Sequence, residues 1–347
     1  MSFLPKIYPK SILISQDSTL EGETRSAYQV CLDLESQAKT NQQYIHARVL
    51  GYFIIHAPSV QALSEVQKQI HSCENDYDNL FTLGESFVKY FIRPFKKTKG
   101  RTPAPSSRPS RPSFDKDKEK WTAEIKEAPK DHREAKRQAL IRDGFQCVVT
   151  GLYDDSAFGN PRIDQEALRD VTVSVNTKCA HIVSESTYFN ISYTSAKKDY
   201  SASVLAALKR FGYDVNNLNG AKVHSLYNVM TMEQNVHDWF DNLNLWFEKI
   251  PNVNRYRVKT ASGRIPNPNA RTEITFTTTS ELPLPSPDLL ALHAACAKVA
   301  HLSGAAAYID ELDRDTDDLC VLAHDGGSFS ILNNALLRSL PSIDVGV

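Results

Sequence analysis

Four residues of this 347-residue chain combine types and order that could do chemistry together. His181 sits in a β-branched run, CAHIVS, and Asn228 in a second such run, LYNVMTM. His237 and Asp241 follow in NVHDWFD. Asn228 precedes His237 by nine positions and His237 precedes Asp241 by four, so on a helix the last two share a face one turn apart. An imidazole and a carboxylate on one helix face, opposite a strand histidine, is a layout that can hold one divalent cation. Phosphodiester hydrolysis needs such parts: a base to deprotonate water and a cation to take up the charge developing on phosphate and leaving group. An asparagine side chain can bridge backbone and imidazole and so fix the orientation of the base. Each residue alone also has a plain reading, as core histidine, turn asparagine or surface ion pair.

The elements that must position these residues follow from pattern. VHSLYNVMTM (Val223–Met232) and Val171–Ser184 read as strands, and Phe145–Gly151 as a short strand ending in a turn. Glu233–Ile250 reads as one helix, with Thr231 and Gln234 as a capping box. Its apolar members Val236, Phe240, Leu243 and Phe247 lie on a different stripe from His237 and Asp241, which are therefore presented rather than packed. Upstream, Asp131–Asp143 is the firmer half of a charged helix broken at Pro129, and Ser201–Gly212 is an amphipathic helix closed by glycine. Residues from about Gly22 to Phe95 read as helical, with Val60–His71 started by Pro58 and Ser59. After Pro251, RYRVKT and EITFTTT predict a hairpin, and Ser286–Leu312 a long helix. The expected fold class is α+β: a helical N-terminal lobe over 1–95, a basic Pro/Ser-rich linker over 96–120, a catalytic domain over 121–250 and a C-terminal extension of hairpin plus helix over 251–347.

The central segment resembles the HNH endonuclease family, the ββα-metal fold. The resemblance rests on CxxTG at Cys147–Gly151, AHI at Ala180–Ile182, FD at Phe240–Asp241, and the ordered set His181, Asn228, His237 and Asp241. Together with LHAACAKVAHLSGA near the C-terminus, the pattern is similar to HNH-domain proteins abundant in fungi. The resemblance implies that His181 is the general base, that Asn228 holds the second strand and the base in place, and that His237 and Asp241 are metal ligands. It further implies cutting or nicking of nucleic acid, DNA foremost, with Mg²⁺ or a similar ion. Many members carry Asp or His before the base histidine; here the position is Ala180. That leaves two protein ligands, with water and substrate phosphate supplying the rest, as a hard cation tolerates. His224, His293 and His301 are expected to be structural, while Asp154, Asp155 and Asp199 could complete a metal shell.

Composition bounds these readings. The hydrophobic fraction of 41% and charged fraction of 23% are those of a globular protein. None of the six cysteines forms a CxxC pair, which excludes a zinc ribbon or a disulfide scaffold and leaves buried free thiols. The net charge of −1 hides an uneven distribution. Arg93–Phe114 holds seven basic residues and no acid, and Ser280–Val347 ten acids against three bases. The basic stretch is expected to be a solvated spacer that adds phosphate affinity. No run approaches a membrane span, and MSFLPKIYPK lacks the look of a secretory signal, so an intracellular protein of nucleus or cytoplasm is expected, of unknown oligomeric state. The rival classes are a decayed nuclease fold serving as a nucleic-acid-binding or protein-interaction module, and an effector or toxin nuclease, against whose ordinary secretion the N-terminal sequence argues.

Overall fold

A computed structural model of the chain describes residues 2–9, 18–96, 112–126, 128, 131–188, 191, 195–265, 267–278 and 281–318. Four helices open the chain: α1 (Ser18–Gln37), α2 (Asn41–Ile55), α3 (Val60–His71) and α4 (Tyr77–Phe87). Their starts are set by short polar side chains. Thr40 and Gln43 form a capping box on α2, Ser59 caps α3 and Asp76 caps α4. Every residue of α2 from Ile45 to Ile54 is buried, even Arg48, which pairs with Glu35 of α1, because a helix so largely apolar must be wrapped by others. It is wrapped by α1, α4 and the distant α9 (Pro287–Ser303). The aromatic stripe after α4 is core: Phe87 and Phe91 stack with ring centroids 5.0 Å apart, and both meet Phe211 at the end of α7 (Ser195–Arg210).

Between these helical layers lies the segment that carries the candidate residues. Helix α5 (Pro112–Glu124) packs on α7, burying Phe114 and Trp121. Helix α6 (Arg133–Arg142) packs on an antiparallel pair, β3 (Thr177–His181) and β4 (Val229–Glu233), with Ala180 opposite Met230 and His181 opposite Val229. Two short parallel strands, β1 (Tyr153–Asp154) and β2 (Ser174–Val175), precede it. Directly after β4 comes α8 (Gln234–Asp241), then a three-stranded antiparallel sheet of β5 (Leu245–Lys249), β6 (Arg255–Thr260) and β7 (Glu273–Thr275). Helix α9 packs on β5, so one buried helix ties the N-terminal helices to this sheet. The arrangement is α+β, with small sheets among helices.

Several expectations are corrected. The helix expected over Glu233–Ile250 stops at Asp241. Asn242 closes it, Leu243 takes φ +61°, and Leu245–Lys249 becomes an edge of the sheet that the expected hairpin completes. Glu233, not Thr231, caps α8: the helix begins at Gln234, and the Glu233 carboxylate accepts from the N–H groups of Asn235 and Val236. Val223–Met232 is not one strand: Gly220–His224 is a 3₁₀ turn and only Val229–Glu233 pairs. Cys147–Gly151 is a turn flanked by the single bridge Gln146–Tyr153. The long C-terminal helix is two, α9 and α10 (Ala305–Asp318), bent by 81° at Gly304, whose φ of +91° suits glycine. The five described cysteines are buried and free; Cys320 and most of the basic stretch, residues 97–111, lie outside the described residues. Among the described residues no single helix is long and apolar enough to cross a membrane.

Candidate functional site

Alternation along β3 decides which residues can act. Cys179 packs with Val229 against Ala135 and Ala139 of α6, while Ala180 points into the main core and is fully buried. A ligand at position 180 would thus be aimed into apolar packing. His181, two residues on from Cys179, is carried at the strand end on the α6 side and is 8% exposed. Asn228 stands just before β4, fully buried, and acts as a clamp. Its Nδ2 donates to the carbonyls of Val183 (3.0 Å) and Val223 (2.8 Å), and its Oδ1 accepts from the Val183 N–H (2.9 Å). It bridges backbone to backbone, not backbone to imidazole. The turns leaving β3 and entering β4 are thereby held to one side chain.

Those turns, with the start of α6, bring four polar side chains together. His181 Nε2 lies 2.9 Å from His224 Nδ1. The Glu185 Oε2 atom, on the 3₁₀ turn Glu185–Tyr188, lies 3.6 Å from His181 Nε2, 3.5 Å from His224 Nδ1 and 3.2 Å from His132 Nδ1. The three rings pack with centroids 5.1–5.7 Å apart. Among the described residues, His132, Glu185 and His224 form a group of three whose donor atoms lie within 4.8 Å of one another, as metal ligands require. Burial pushes His181 well below the ordinary histidine range, and the neighbouring His224, His132 and His237 push the same way. The ring is neutral at pH 7. Burial also raises the Glu185 carboxyl, which His224 partly offsets.

Helix α8 presents the remaining two expected residues. His237 Nε2 and Asp241 Oδ2 are 3.3 Å apart, both side chains partly exposed, while Val236 and Phe240 are buried beneath them. The end of this helix is pinned from α9. His293 stacks on Phe240 at 3.9 Å and meets its carbonyl (3.3 Å), and His301 meets the Leu243 carbonyl (3.0 Å). These two histidines are structural, as expected from sequence. His224 is not an isolated structural residue: it contacts His181 directly. Asp154 is engaged elsewhere, accepting from Ser156 and from both the N–H and hydroxyl of Thr177, and Asp199 pairs with Lys118 at 2.6 Å.

Sequence reasoning singled out neither His132 nor Glu185, and set His224 aside as structural. Glu185 follows His181 by four residues, which on a continuing strand would carry it far away; the chain instead turns at once into 3₁₀. His132 stands at the start of α6, just before Arg133, and is brought in by this helix, whose far end is bolted to β4. Arg142, buried, pairs with Asp143 (2.7 Å) and donates to the carbonyls of Leu226, Val229 and Pro283, while Asp143 accepts from the Thr231 N–H. No curated protein and no solved structure matches the chain. With this geometry in place, an antiparallel pair running straight into a helix, residues 147–248 match the family of HNH endonucleases.

Proposed function

We propose that the chain is a metal-dependent HNH endonuclease that hydrolyses phosphodiester bonds in DNA. The observation that carries this reading is that His181, Asn228, His237 and Asp241 occur in order on β3, the entry to β4 and α8, all within the matched segment. In this reading His181, neutral through burial, takes the proton from the attacking water. Asn228 is a positioning residue, because its three bonds fix the strand ends from which His181 projects. His237 and Asp241 hold a divalent cation, Mg²⁺ foremost; their 3.3 Å separation suits two donors facing one ion. The ion would supply charge stabilisation for the phosphate and leaving oxygen. The test is nicking of supercoiled plasmid with Mg²⁺ and with EDTA, run beside His181→Ala. Cation-dependent nicking that His181→Ala abolishes supports the reading; no nicking under any divalent cation sinks it.

The second reading is a nucleic-acid-binding or protein-interaction module on a nuclease fold that no longer cuts. The observation favouring it is the burial of His181 against His224, which leaves the base little room to meet water. Salt-dependent DNA binding without nicking is its expected result.

A further inference from the structure

We propose that His132, Glu185 and His224 hold a transition-metal ion of the Zn²⁺ class beside His181, a site made of different residues from the His237–Asp241 pair. The spacing of the donors comes first. Two ligands each ~2.1 Å from one ion stand roughly 3.0 Å apart at octahedral angles and roughly 3.4 Å apart at tetrahedral angles. Glu185 Oε2 is 3.2 Å from His132 Nδ1 and 3.5 Å from His224 Nδ1. The second observation is burial without a hydrogen bond. Glu185 Oε2 and His132 Nδ1 are both shut off from solvent and near each other, yet neither makes an aligned hydrogen bond. Buried polar atoms are ordinarily hydrogen-bonded. A cation held between the two would satisfy both atoms.

Donor chemistry selects the class of ion. Two imidazoles and one carboxylate suit Zn²⁺ and its neighbours, whereas Mg²⁺ is held mainly through oxygen. Three protein ligands leave a further coordination position, the mark of an open site. His181 Nε2 stands beside two of these donors, 2.9 Å from His224 Nδ1 and 3.6 Å from Glu185 Oε2. The site is also built to last. Asn228 ties Val183 and Val223 together, and these lie within two residues of Glu185 and His224. His132 is delivered by α6, which Arg142 and Asp143 anchor to β4.

The experiment uses the full chain, stripped of metal by chelator and titrated with Co²⁺ and with Zn²⁺. One equivalent of Co²⁺ is expected to bind with visible absorption bands and to be displaced by Zn²⁺. His132→Ala and Glu185→Gln should each weaken this binding by at least ~10-fold, a lower bound set by what removal of even a supporting residue costs a metal site. Both changes are at partly exposed side chains, so circular dichroism should show the wild-type fold. His237→Ala should leave the spectrum unchanged. Absence of Co²⁺ and Zn²⁺ binding in the wild type, or unaltered affinity in His132→Ala and Glu185→Gln, overturns the site. Loss of the spectrum in His237→Ala alone also overturns it and moves the ion to α8. Because the readout is metal binding, a protein that binds Co²⁺ here but never nicks DNA would refute the proposed function and leave this site standing.

Discussion

The two donor groups of this molecule are built in opposite ways. His237 and Asp241 belong to one turn of one helix, and their 3.3 Å approach needs nothing but α8. His132, His181, Glu185 and His224 come from four separate segments spread over 92 positions, and meet only because α6, β3 and two 3₁₀ turns are locked together. The first is local; the second is collective, with His181 buried and His132 and Glu185 as open to solvent as the pair on α8. The difference teaches where chemistry can be perturbed without unfolding, and where fold and site are the same thing.

The sharpest way to break the comparison is His181→Ala. It should lower the chemical step of DNA nicking by ~10²–10⁴-fold, the size of a general-base contribution, while DNA affinity stays near wild type. Equal rates in single-turnover nicking would remove His181 from the mechanism. Next comes Arg142→Ala, which strips the buried Asp143 of its partner and three carbonyls of their donor. It should cost about 3–5 kcal/mol in chemical denaturation, whereas Arg137→Ala, breaking the exposed pair with Glu134, should cost about 0–1 kcal/mol. Similar small costs for both would mean that the collective group is not held by α6.

A pH series probes the pin on α8. Burial lowers His293 from the ordinary 6.5 to about 3. Between those values the unfolded chain binds the proton and the folded chain does not, so stability falls as pH falls below 6.5. At pH 5 the loss from this residue should be on the order of 2 kcal/mol, one pH unit being worth about 1.4 kcal/mol. His293→Gln should flatten that part of the curve of unfolding free energy against pH; an unchanged slope would assign the acid sensitivity to other buried histidines such as His46 and His56, each lowered to about 4. The smallest effect belongs to the local pair. His237→Ala should change helix stability by only ~0.2–0.5 kcal/mol, yet weaken Mn²⁺ binding measured by calorimetry. The double variant with Asp241→Ala should be little worse, since ligands of one ion act as a unit. Unaltered Mn²⁺ affinity in both single variants would leave only a surface ion pair.

Legibility followed the same division. Helix α3 spans the Val60–His71 read from its apolar spacing and its Ser59 cap, because one amphipathic stripe and one hydroxyl suffice to define it. The His237–Asp241 pair was likewise visible as a spacing of four. Illegible were the points where tertiary contacts overrule local pattern. Leu243 and Phe247 continue the helical stripe of α8, but Asn242 bonds back to the Asp238 carbonyl and Leu243 turns left-handed, so Leu245–Lys249 pairs as strand with Arg255–Thr260. Glu185 and His224 look like ordinary loop residues because nothing in their own neighbourhoods encodes the Asn228 clamp that joins them.

The Arg142 anchor sets the smallest piece of this chain that could be expressed with the site's fold intact. A fragment trimmed to the family match at 147–248 would begin five residues past it. The carbonyls of Leu226 and Val229 and the Thr231 N–H would lose their partners beside the strand that carries the fold. Helix α9, some 40 residues downstream, would be missing as well, and with it the rings that cover the end of α8. Recombinant work on the matched segment therefore starts no later than Asp131 and runs at least through Ser303.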